Sequence, residues 1–435
     1  MSMHAGAADQ VRRWSDMLGV LRGAFTRPGW EIFQTLLCGW VVCTGRRTII
    51  GIYQQADPEQ RRSHDAYHRF VRCAAWVPEL VWRLLAQGLV AGLVQTRTIE
   101  IDLDDTLLHR TGQKVNGAGL WRDAVRSVGK RTVIAWGLNL LVVTLRITPP
   151  WGGEPLGLPI WVSLHRKGGT KLTTLAEEAL ATITAWFPDR DIRCCGDGAY
   201  ASTLMSLHGP RRTCISRMRR DAALYECKPS PTGKRGRPRN RGARIGNPVE
   251  IAKRAKNWTA ALTQQRGKSV KRLLHSRVVL WYAVSKQPVL LVICRDPDGI
   301  EPDDFWVCSD IRLSANDVVS AYAGRWSIED TFRATKQAIH VQQPQSWAGE
   351  APQRTAMLGF LLYSLIWWWF LTLPKTEQWV SVSPWYATKA TPSFVDALAA
   401  LRHAFWRNRI IDSSGHGPIS DNILGVMLEA LARAA

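Results

Sequence analysis

Side chains that could bind both a cation and a phosphate recur at helical spacing in YAGRWSIEDTFRATK, residues 322–336. The segment lacks proline and holds good helix formers from Trp326 onward, which predicts a helix. At ~3.6 residues per turn, one face carries a tyrosine, three cations and a carboxylate: Tyr322, Arg325, Glu329, Arg333 and Lys336. This face is either a solvated ladder of i, i+4 ion pairs or a site that offers its carboxylate to a metal and its cations to phosphates.

Aspartates occur in two apolar segments predicted to be strands. IEIDLDDT contributes Asp102, Asp104 and Asp105, and CCGDGAYAS contributes Asp197 between glycines that permit a sharp turn. Buried carboxylates are costly without a cation, so these acids are either solvated strand ends or metal ligands. Two such aspartates with Glu329 would make an oxygen ligand set that Mg²⁺ prefers, and it suits phosphoryl transfer with two divalent ions ~3.5–4 Å apart.

The composition favours a nucleic-acid partner. The 435 residues include 57 Lys and Arg against 36 Asp and Glu, a net charge of +21. Hydrophobic residues at 46% and 21 tryptophans supply a packed core and exclude a disordered basic tail. The nine cysteines show no CxxC pair or zinc spacing, and no signal-peptide pattern opens the sequence, which predicts reduced thiols in a cytoplasmic protein.

The segment from Met357 to Pro374 carries no charge and approaches the ~20 residues that span a bilayer. A membrane helix is one interpretation. The lack of a second such segment, and its position after a highly charged helix, favour a buried core helix. We therefore expect no membrane partner.

The order of predicted elements indicates a mixed α/β chain. Residues to about 96 are predicted to be helical, and then strands and one helix follow in the order β-β-β-α-β up to DIRCCGDGAYAS. The stretch from 211 to 304 is rich in strands, and we interpret it as an insertion into a mixed sheet. Two helices are predicted near SFVDALAALRHAFW and ISDNILGVMLEALARA.

Two segments of the N-terminal region, RRTIIGIYQQA and SHDAYHRFVRCAAW, predict short helices, and Asp57-Pro58 between them is typical of a helix start. The second has an apolar stripe that includes Tyr67, Phe70 and Val71. Its polar residues are expected to face outward: His64, His68, Arg69 and Arg72. A helix-turn-helix that places His68, Arg69 and Arg72 on DNA and an ordinary helical hairpin both fit this pattern.

A basic segment, CKPSPTGKRGRPRNRGARIG, carries no acid. Its candidate DNA-binding residues are Lys234, Arg235, Arg237, Arg239 and Arg241. The RGRPR core resembles an AT-hook, which inserts arginine into the narrow minor groove of A·T tracts. A general phosphate-binding loop is the alternative, and both interpretations predict DNA contact.

The helix segment 322–336 and the two aspartate segments resemble those of a known family. Tyr322, Arg325, Glu329 and Lys336 reproduce the Tyr-x2-Arg-x3-Glu-x6-Lys signature of insertion-sequence family four and its relatives among the DDE transposases. DDT at 104–106 and DGAY at 197–200 resemble the segments that carry the two aspartates of these enzymes. The four-residue signature is the more specific feature.

The resemblance implies an α/β fold: an RNase H-like mixed sheet with helices, interrupted by a largely β insertion, plus an N-terminal helical DNA-binding domain. The predicted domains are a DNA-end-binding domain over 1–96, the catalytic core over 97–210 and 305–373, the insertion over 211–304, and a C-terminal helical region over 374–435. The resemblance also implies two Mg²⁺ ions, which Mn²⁺ could replace, Arg333 as a further phosphate-binding cation, and a homodimer in the DNA complex.

The catalytic residues expected from this resemblance are Asp105, Asp197 and Glu329, with Asp104 as an additional metal ligand. In related enzymes the aspartate commonly precedes a threonine, which favours Asp105. Strand alternation would place Asp104 on the opposite face of the strand. Tyr322 is expected to contact the DNA strand end.

We therefore predict a cut-and-paste transposase in the bacterial cytoplasm, at the nucleoid when bound to DNA. It would bind the terminal inverted repeats of an insertion sequence, nick with water, and transfer the freed 3′-hydroxyl into target DNA, with a hairpin intermediate left open. The alternatives are an inactive transposase-derived DNA-binding protein and a structure-specific nuclease of the RNase H class. The complete set of carboxylates argues against the first, and the N-terminal helices argue against the second.

Overall fold

The computed structural model describes residues 3–129, 131–207, 209–229, 239–265, 268–381, 388–413 and 421–433. Its N-terminal region is helical, as expected. The helices are α1 (Met3–Gly19), α2 (Arg27–Val42), α3 (Ile49–Ala56), α4 (His64–Arg72) and α5 (Pro78–Leu93). Thr26 and Thr48 begin α2 and α3 as N-caps, since each hydroxyl accepts a backbone N–H of the first turn. Asp57 ends α3 instead of starting a helix, and its carboxylate accepts the backbone N–H groups of Arg61 and Arg62.

A mixed sheet forms the centre of the protein. Its strands up to the second aspartate segment are β1 (Thr98–His109), β2 (Gly119–Arg122), β3 (Ile134–Ile147), β4 (Leu156–His165) and β5 (Asp191–Gly196), with α6 (Leu172–Trp186) before β5. The predicted β-β-β-α-β order is confirmed, with the short β2 as an addition. β1 pairs with β3 in antiparallel and with β5 in parallel orientation, so the two aspartate segments lie on neighbouring strands.

The remaining elements extend this sheet. They are α7 (Ala201–Ser206), β6 (Arg212–Arg217), β7 (Leu224–Tyr225), β8 (Arg244–Gly246), α8 (Pro248–Arg254), β9 (Thr259–Gln265), β10 (Lys268–Val279), β11 (Val289–Arg295) and β12 (Asp304–Cys308). The sheet order is β2-β3-β1-β5-β6-β12-β11-β10-β9, with β4 also on β3, and β7 and β8 form a separate pair. β6 therefore belongs to the central sheet, and most strands of the predicted insertion prolong that sheet instead of building a separate one.

The C-terminal third is helical. It contains α9 (Ala315–Ala323), α10 (Ser327–Gln337), α11 (Ala351–Thr372), α12 (Phe394–Ser413) and α13 (Asp421–Arg433). Among the described residues α11 is the one helix long and apolar enough to cross a membrane, and 89% of its apolar window is buried inside the protein. This burial is what a core helix requires. One hydrophobic core joins α11 to the sheet and to the N-terminal helices, for example where the Trp369 indole donates to the carbonyl of Gln10.

The segment predicted as one helix over 322–336 consists of the end of α9, a 3₁₀ turn over Gly324–Trp326, and α10. Gly324 allows this turn to lie against the side chain of Arg146, because a Cβ at Gly324 would be 2.8 Å from Nη1 of Arg146. Helix propensity did not predict the turn, since it depends on this tertiary contact.

Candidate active site

Arg325 connects the first aspartate segment to the glutamate helix. From the 3₁₀ turn, its Nη1 donates to Oδ2 of Asp104 at 2.8 Å and its Nη2 donates to Oε1 of Glu329 at 3.2 Å. Arg325 is only 5% exposed, whereas the carboxylates on either side of it reach solvent. The fold thus brings Asp104 and Glu329, far apart in sequence, to a single buried guanidinium.

A second arginine, Arg146, fixes the turn that carries Arg325. Arg146 of β3 donates to both carboxylate oxygens of the fully buried Asp102, and its Nη1 donates to the carbonyl of Ala321 at 2.8 Å. The hydroxyl of Ser327 also reaches Asp102, at 3.3 Å. These bonds fix the end of α9 and the start of α10 on the sheet. Asp102 and Arg146 therefore position the turn that carries Arg325.

Asp197 completes the acidic group. It directly follows β5, and its backbone carbonyl accepts from the hydroxyl of Ser216 and the N–H of Tyr200, both at 2.9 Å. Gly196 permits this turn, since a Cβ there would be 2.7 Å from a methyl carbon of Leu204. Leu103 of β1 pairs with Gly196 of β5, so Asp104 and Asp197 follow at neighbouring positions on adjacent strands, and the charge of Asp197 adds to raising the pKa of Asp104.

Asp105 lies on the other face of β1. Its Oδ1 accepts a hydrogen bond from the Tyr200 hydroxyl at 2.8 Å, and it is half-buried. Burial raises the pKa of Asp105, while its bonds to Tyr200 and Asn139 oppose that shift. Strand alternation thus turns Asp104 toward Arg325 and Asp105 toward Tyr200, while the charge of Asp197 acts on both aspartates. Which of the two aspartates binds metal stays a prediction.

The electrostatics of the group fit a cation site. Burial raises the pKa of Asp104 to about 7, Arg325 opposes the shift, and the charges of Asp105 and Asp197 add to it. Carboxylate oxygens are the donors that Mg²⁺ and Mn²⁺ accept, so the chemistry of the residues matches a hard divalent ion. Within the described residues, no three Asp, Glu, His or Cys side chains are already spaced to hold a metal. Arg325 is the cation that bonds to Asp104 and Glu329 here.

The other signature residues differ in exposure. Tyr322 is 6% exposed, its ring lies 6.0 Å from that of Trp306, and contact with a DNA end would require this packing to open. Arg333 is 64% exposed and pairs with Asp330, so the predicted ladder forms between Arg325 and Glu329 but does not extend from Glu329 to Arg333. Lys336 is half-buried, and burial lowers its pKa.

The predicted recognition helix is α4. Tyr67, Phe70 and Val71 are buried as expected, and Arg69 and Arg72 are exposed. His68 differs from the prediction, because its ring lies 4.4 Å from that of His64 and its Nε2 is buried without a hydrogen bond among the described residues. The exposed residues of α4 are thus His64, Asp65, Arg69 and Arg72.

The basic segment is described only in part. Lys234, Arg235 and Arg237 lie outside the described residues. Arg239 is exposed, and Arg241 lies between two tyrosine rings, with its guanidinium carbon 4.4 Å from the Tyr225 ring centre and 4.7 Å from that of Tyr282. Arg241 therefore anchors this end of the segment by cation–π contact and contributes its charge to the surface.

Sequence reasoning missed Arg146 and Tyr200 as partners of the aspartates. A signal for Arg146 was present, because a single arginine in the apolar run NLLVVTLRI requires a buried acid opposite it. Asp102, two residues before Asp104, was that acid. The DGAY segment includes Tyr200, but the sequence does not show that the Tyr200 side chain points toward Asp105, because this orientation depends on how α7 packs.

Comparisons with known proteins find two family matches. Residues 21–151 match the family described as DDE superfamily endonuclease, and residues 154–365 match the family described as transposase DDE domain. No curated protein matches the chain. The first match contains both Asp104 and Asp105, and the second contains Asp197 and Glu329. Two consecutive DDE matches, over the strands and the helix that carry these carboxylates, indicate that the chain is a DDE transposase, a metal-dependent enzyme that acts on DNA.

Proposed function

We propose that this enzyme is the transposase of a bacterial insertion sequence related to family four, and that it moves its element by cut-and-paste transposition. The observation that carries the proposal is the bonding of Arg325 to both Asp104 and Glu329, with Asp197 at the end of the strand that pairs with β1. The signature residues lie in sequence on the end of α9 (Tyr322), in the 3₁₀ turn (Arg325) and on α10 (Glu329 and Lys336), which supports the family-four signature.

In this proposal Asp104, Asp197 and Glu329 would hold two Mg²⁺ ions, and Asp105 would stay hydrogen-bonded to Tyr200 beside them. The ions, when bound, activate the attacking oxygen and stabilise the leaving oxygen of the phosphodiester. Arg325 holds the carboxylates of Asp104 and Glu329 next to each other and partly neutralises their charges, because it bonds to both. Asp102 and Arg146 fix the position of the turn that carries Arg325.

DNA would be held by cations around this group. Arg333 is exposed one turn beyond Glu329, and Lys336 follows on the same helix. Arg69 and Arg72 on α4 would bind the element's inverted repeat, and Arg239 and Arg241 would contact duplex backbone beside β8. We further propose that two copies of the chain bind two ends in the DNA complex, and that it works in the cytoplasm.

The test is a strand-transfer assay with the repeats that flank the gene. A labelled duplex with one repeat is incubated with protein, Mg²⁺ and supercoiled target plasmid. A transposase yields a 3′ cut at the repeat and labelled DNA joined to the plasmid. Cutting without joined product would replace the proposal with a structure-specific nuclease, and binding without cutting would replace it with an inactive DNA-binding derivative.

A further inference from the structure

A basic groove lies far from the acidic group, where β8, α8 and β10 meet. Its volume is about 580 Å³. The side chains that give it its charge are four cations and a histidine: Arg244, Arg254, Lys256, His275 and Arg277. None of the described residues that line the groove is acidic. Positive charge concentrated in a concave surface attracts anions, so the lining fits an anionic ligand.

Part of the positive charge of the groove is uncompensated among the described residues. Arg244 and Lys256 are exposed, and neither pairs with a carboxylate in the described ion pairs. The other two arginines each pair with one acid outside the lining: Arg254 with Glu250 at 3.9 Å, and Arg277 with Glu226. A structural role as ion-pair partners therefore accounts for two of the four cations and leaves Arg244 and Lys256 unexplained.

The two sides of the groove are held together by contacts around His275. Its Nδ1 lies 2.9 Å from the carbonyl oxygen of Asn257, and because a carbonyl only accepts, Nδ1 carries the proton of this bond. The rings of His275 and Trp258 have centres 5.7 Å apart, and the guanidinium carbon of Arg295 lies 4.1 Å from the Trp258 ring centre. These contacts fix the segment after α8 against β10 and β11. The groove is thus preformed, which lowers the cost of binding.

The groove and the acidic group lie on opposite faces of the sheet. Leu274 of β10 packs in one cluster with α9, so strand alternation places His275 and Arg277 on the other face. Asp104 bonds to Arg325 in the turn that directly follows α9. In the sheet order β10 is also five strands from β1, roughly 24 Å at the usual spacing of strands. One phosphodiester therefore cannot contact both places.

We propose that this groove binds the sugar-phosphate backbone of a DNA segment other than the one that is cut. The proposal rests on the proposed function, because it takes DNA as the substrate. Guanidinium groups donate paired N–H groups to phosphate oxygens, and lysine adds a point charge. Arg239 and Arg241 shortly precede Arg244, so a backbone that leaves the groove there would next meet the basic segment. This continuity favours a polymer over a free nucleotide.

Binding of a duplex of about 40 bp that carries no repeat tests the groove, measured by anisotropy without divalent ions. Replacing Arg244 and Lys256 together with alanine should flatten the plot of log affinity against log salt by up to about 2. The matched control replaces Lys253 and Lys375, exposed lysines outside the groove, and should change the slope much less. Both double variants should unfold at the temperature of the wild type, because all four residues are exposed. Equal slopes in the two double variants would overturn the proposal.

The same variants identify which DNA the groove holds. If it holds a distant part of the cut end, the weaker binding should appear only with end duplexes that extend more than about 7 bp past the cut, the length that spans ~24 Å. If it holds a second duplex, the groove variant should bind end duplexes of every length like the control. Its complex with one end should then capture less of a second, plain duplex. A groove variant that matches the control in both arrangements would also overturn the proposal.

These measurements do not require cleavage. A protein that loses salt dependence in the groove variant but never joins an end to target DNA would refute the proposed function and leave the groove as a DNA-binding site. The opposite result, strand transfer with equal salt slopes in the two double variants, would refute the groove alone.

Discussion

At the scale of single residues, the acidic group is organised by Arg325. This buried side chain satisfies Asp104 and Glu329 at once, so it combines the two interpretations of its helix: it is an ion-pair partner and a member of the candidate site. Arg333 was expected to be a further phosphate-binding cation on the same helix face, and it pairs with Asp330 on the surface. Spacing alone could not separate these roles, because both arginines lie four residues from Glu329 and only burial distinguishes them.

The choice between the two adjacent aspartates leads to the first prediction. Asp104→Asn should abolish Mg²⁺-dependent cleavage of end DNA, because it removes a carboxylate that faces Arg325 and Glu329. Asp105→Asn keeps the hydrogen-bond acceptor for Tyr200 and should retain more activity. Single-turnover cleavage of a labelled duplex measures both, with end binding by gel shift as the control. Greater loss in Asp105→Asn would return that residue to the metal site.

A second prediction contrasts the two arginines. Arg325→Ala should lower both cleavage and the free energy of unfolding, the latter by about 1–3 kcal/mol, because half-buried Asp104 loses its hydrogen-bonded cation. Arg333→Ala removes an exposed charge, so it should leave the free energy of unfolding within ~0.5 kcal/mol and reduce only cleavage. Denaturant unfolding measures the first quantity. Equal stability in the two variants would show that Arg325 does not support the fold.

At the scale of elements, the alternation of side chains along β1 was predictable, but the face of β1 that holds the site was not. The sequence predicted that Asp104 and Asp105 point to opposite faces of β1, and they do. Which face holds the site depends on where α10 packs, and no local pattern encodes that. The 3₁₀ turn before α10 was missed for the same reason, since Gly324 is selected by the distant Arg146. The buried strands and the apolar α11 were predictable because they follow from periodicity and composition.

The turn itself provides the third prediction. Gly324→Ala would place a Cβ 2.8 Å from Nη1 of Arg146, whose bonds to Asp102 and Ala321 leave it little freedom to move. The displaced turn should misplace Arg325 and reduce cleavage, and a 1 Å error can cost ~10²-fold. Gly23→Ala is the control, because a Cβ there has no neighbour within 4 Å. Cleavage by Gly324→Ala at the rate of the control would show that the turn tolerates movement.

At the scale of the whole molecule, the N-terminal helices and the sheet share one hydrophobic core, so DNA bound to α4 would be rigidly related to the acidic group. Sequence patterns predicted a helical region up to about residue 96 but could not show this shared core, because its contacts join residues that are far apart in sequence. One example is the Trp40 indole, which packs in the core and donates to the carbonyl of Ile339. The positive charge was also predictable in amount, +21, but not in its distribution over the surface. Many of these cations already pair with acids, so each of them offers DNA less uncompensated charge than an unpaired cation does.

That distinction between paired and available cations leads to the last prediction. Arg239 and Arg241 have no carboxylate partner among the described ion pairs, whereas Arg12 and Arg13 both pair with Asp9. Removing one cation that binds a DNA phosphate flattens the plot of log affinity against log salt by ~0.9, so replacing Arg239 and Arg241 together with alanine should reduce the slope by up to about 2. Replacing Arg12 and Arg13 removes the same charge and should alter the slope much less. Equal slopes in the two double variants would show that net charge alone determines affinity, and a weaker preference for A·T-rich duplex in the first would show that these arginines also sense the width of the minor groove.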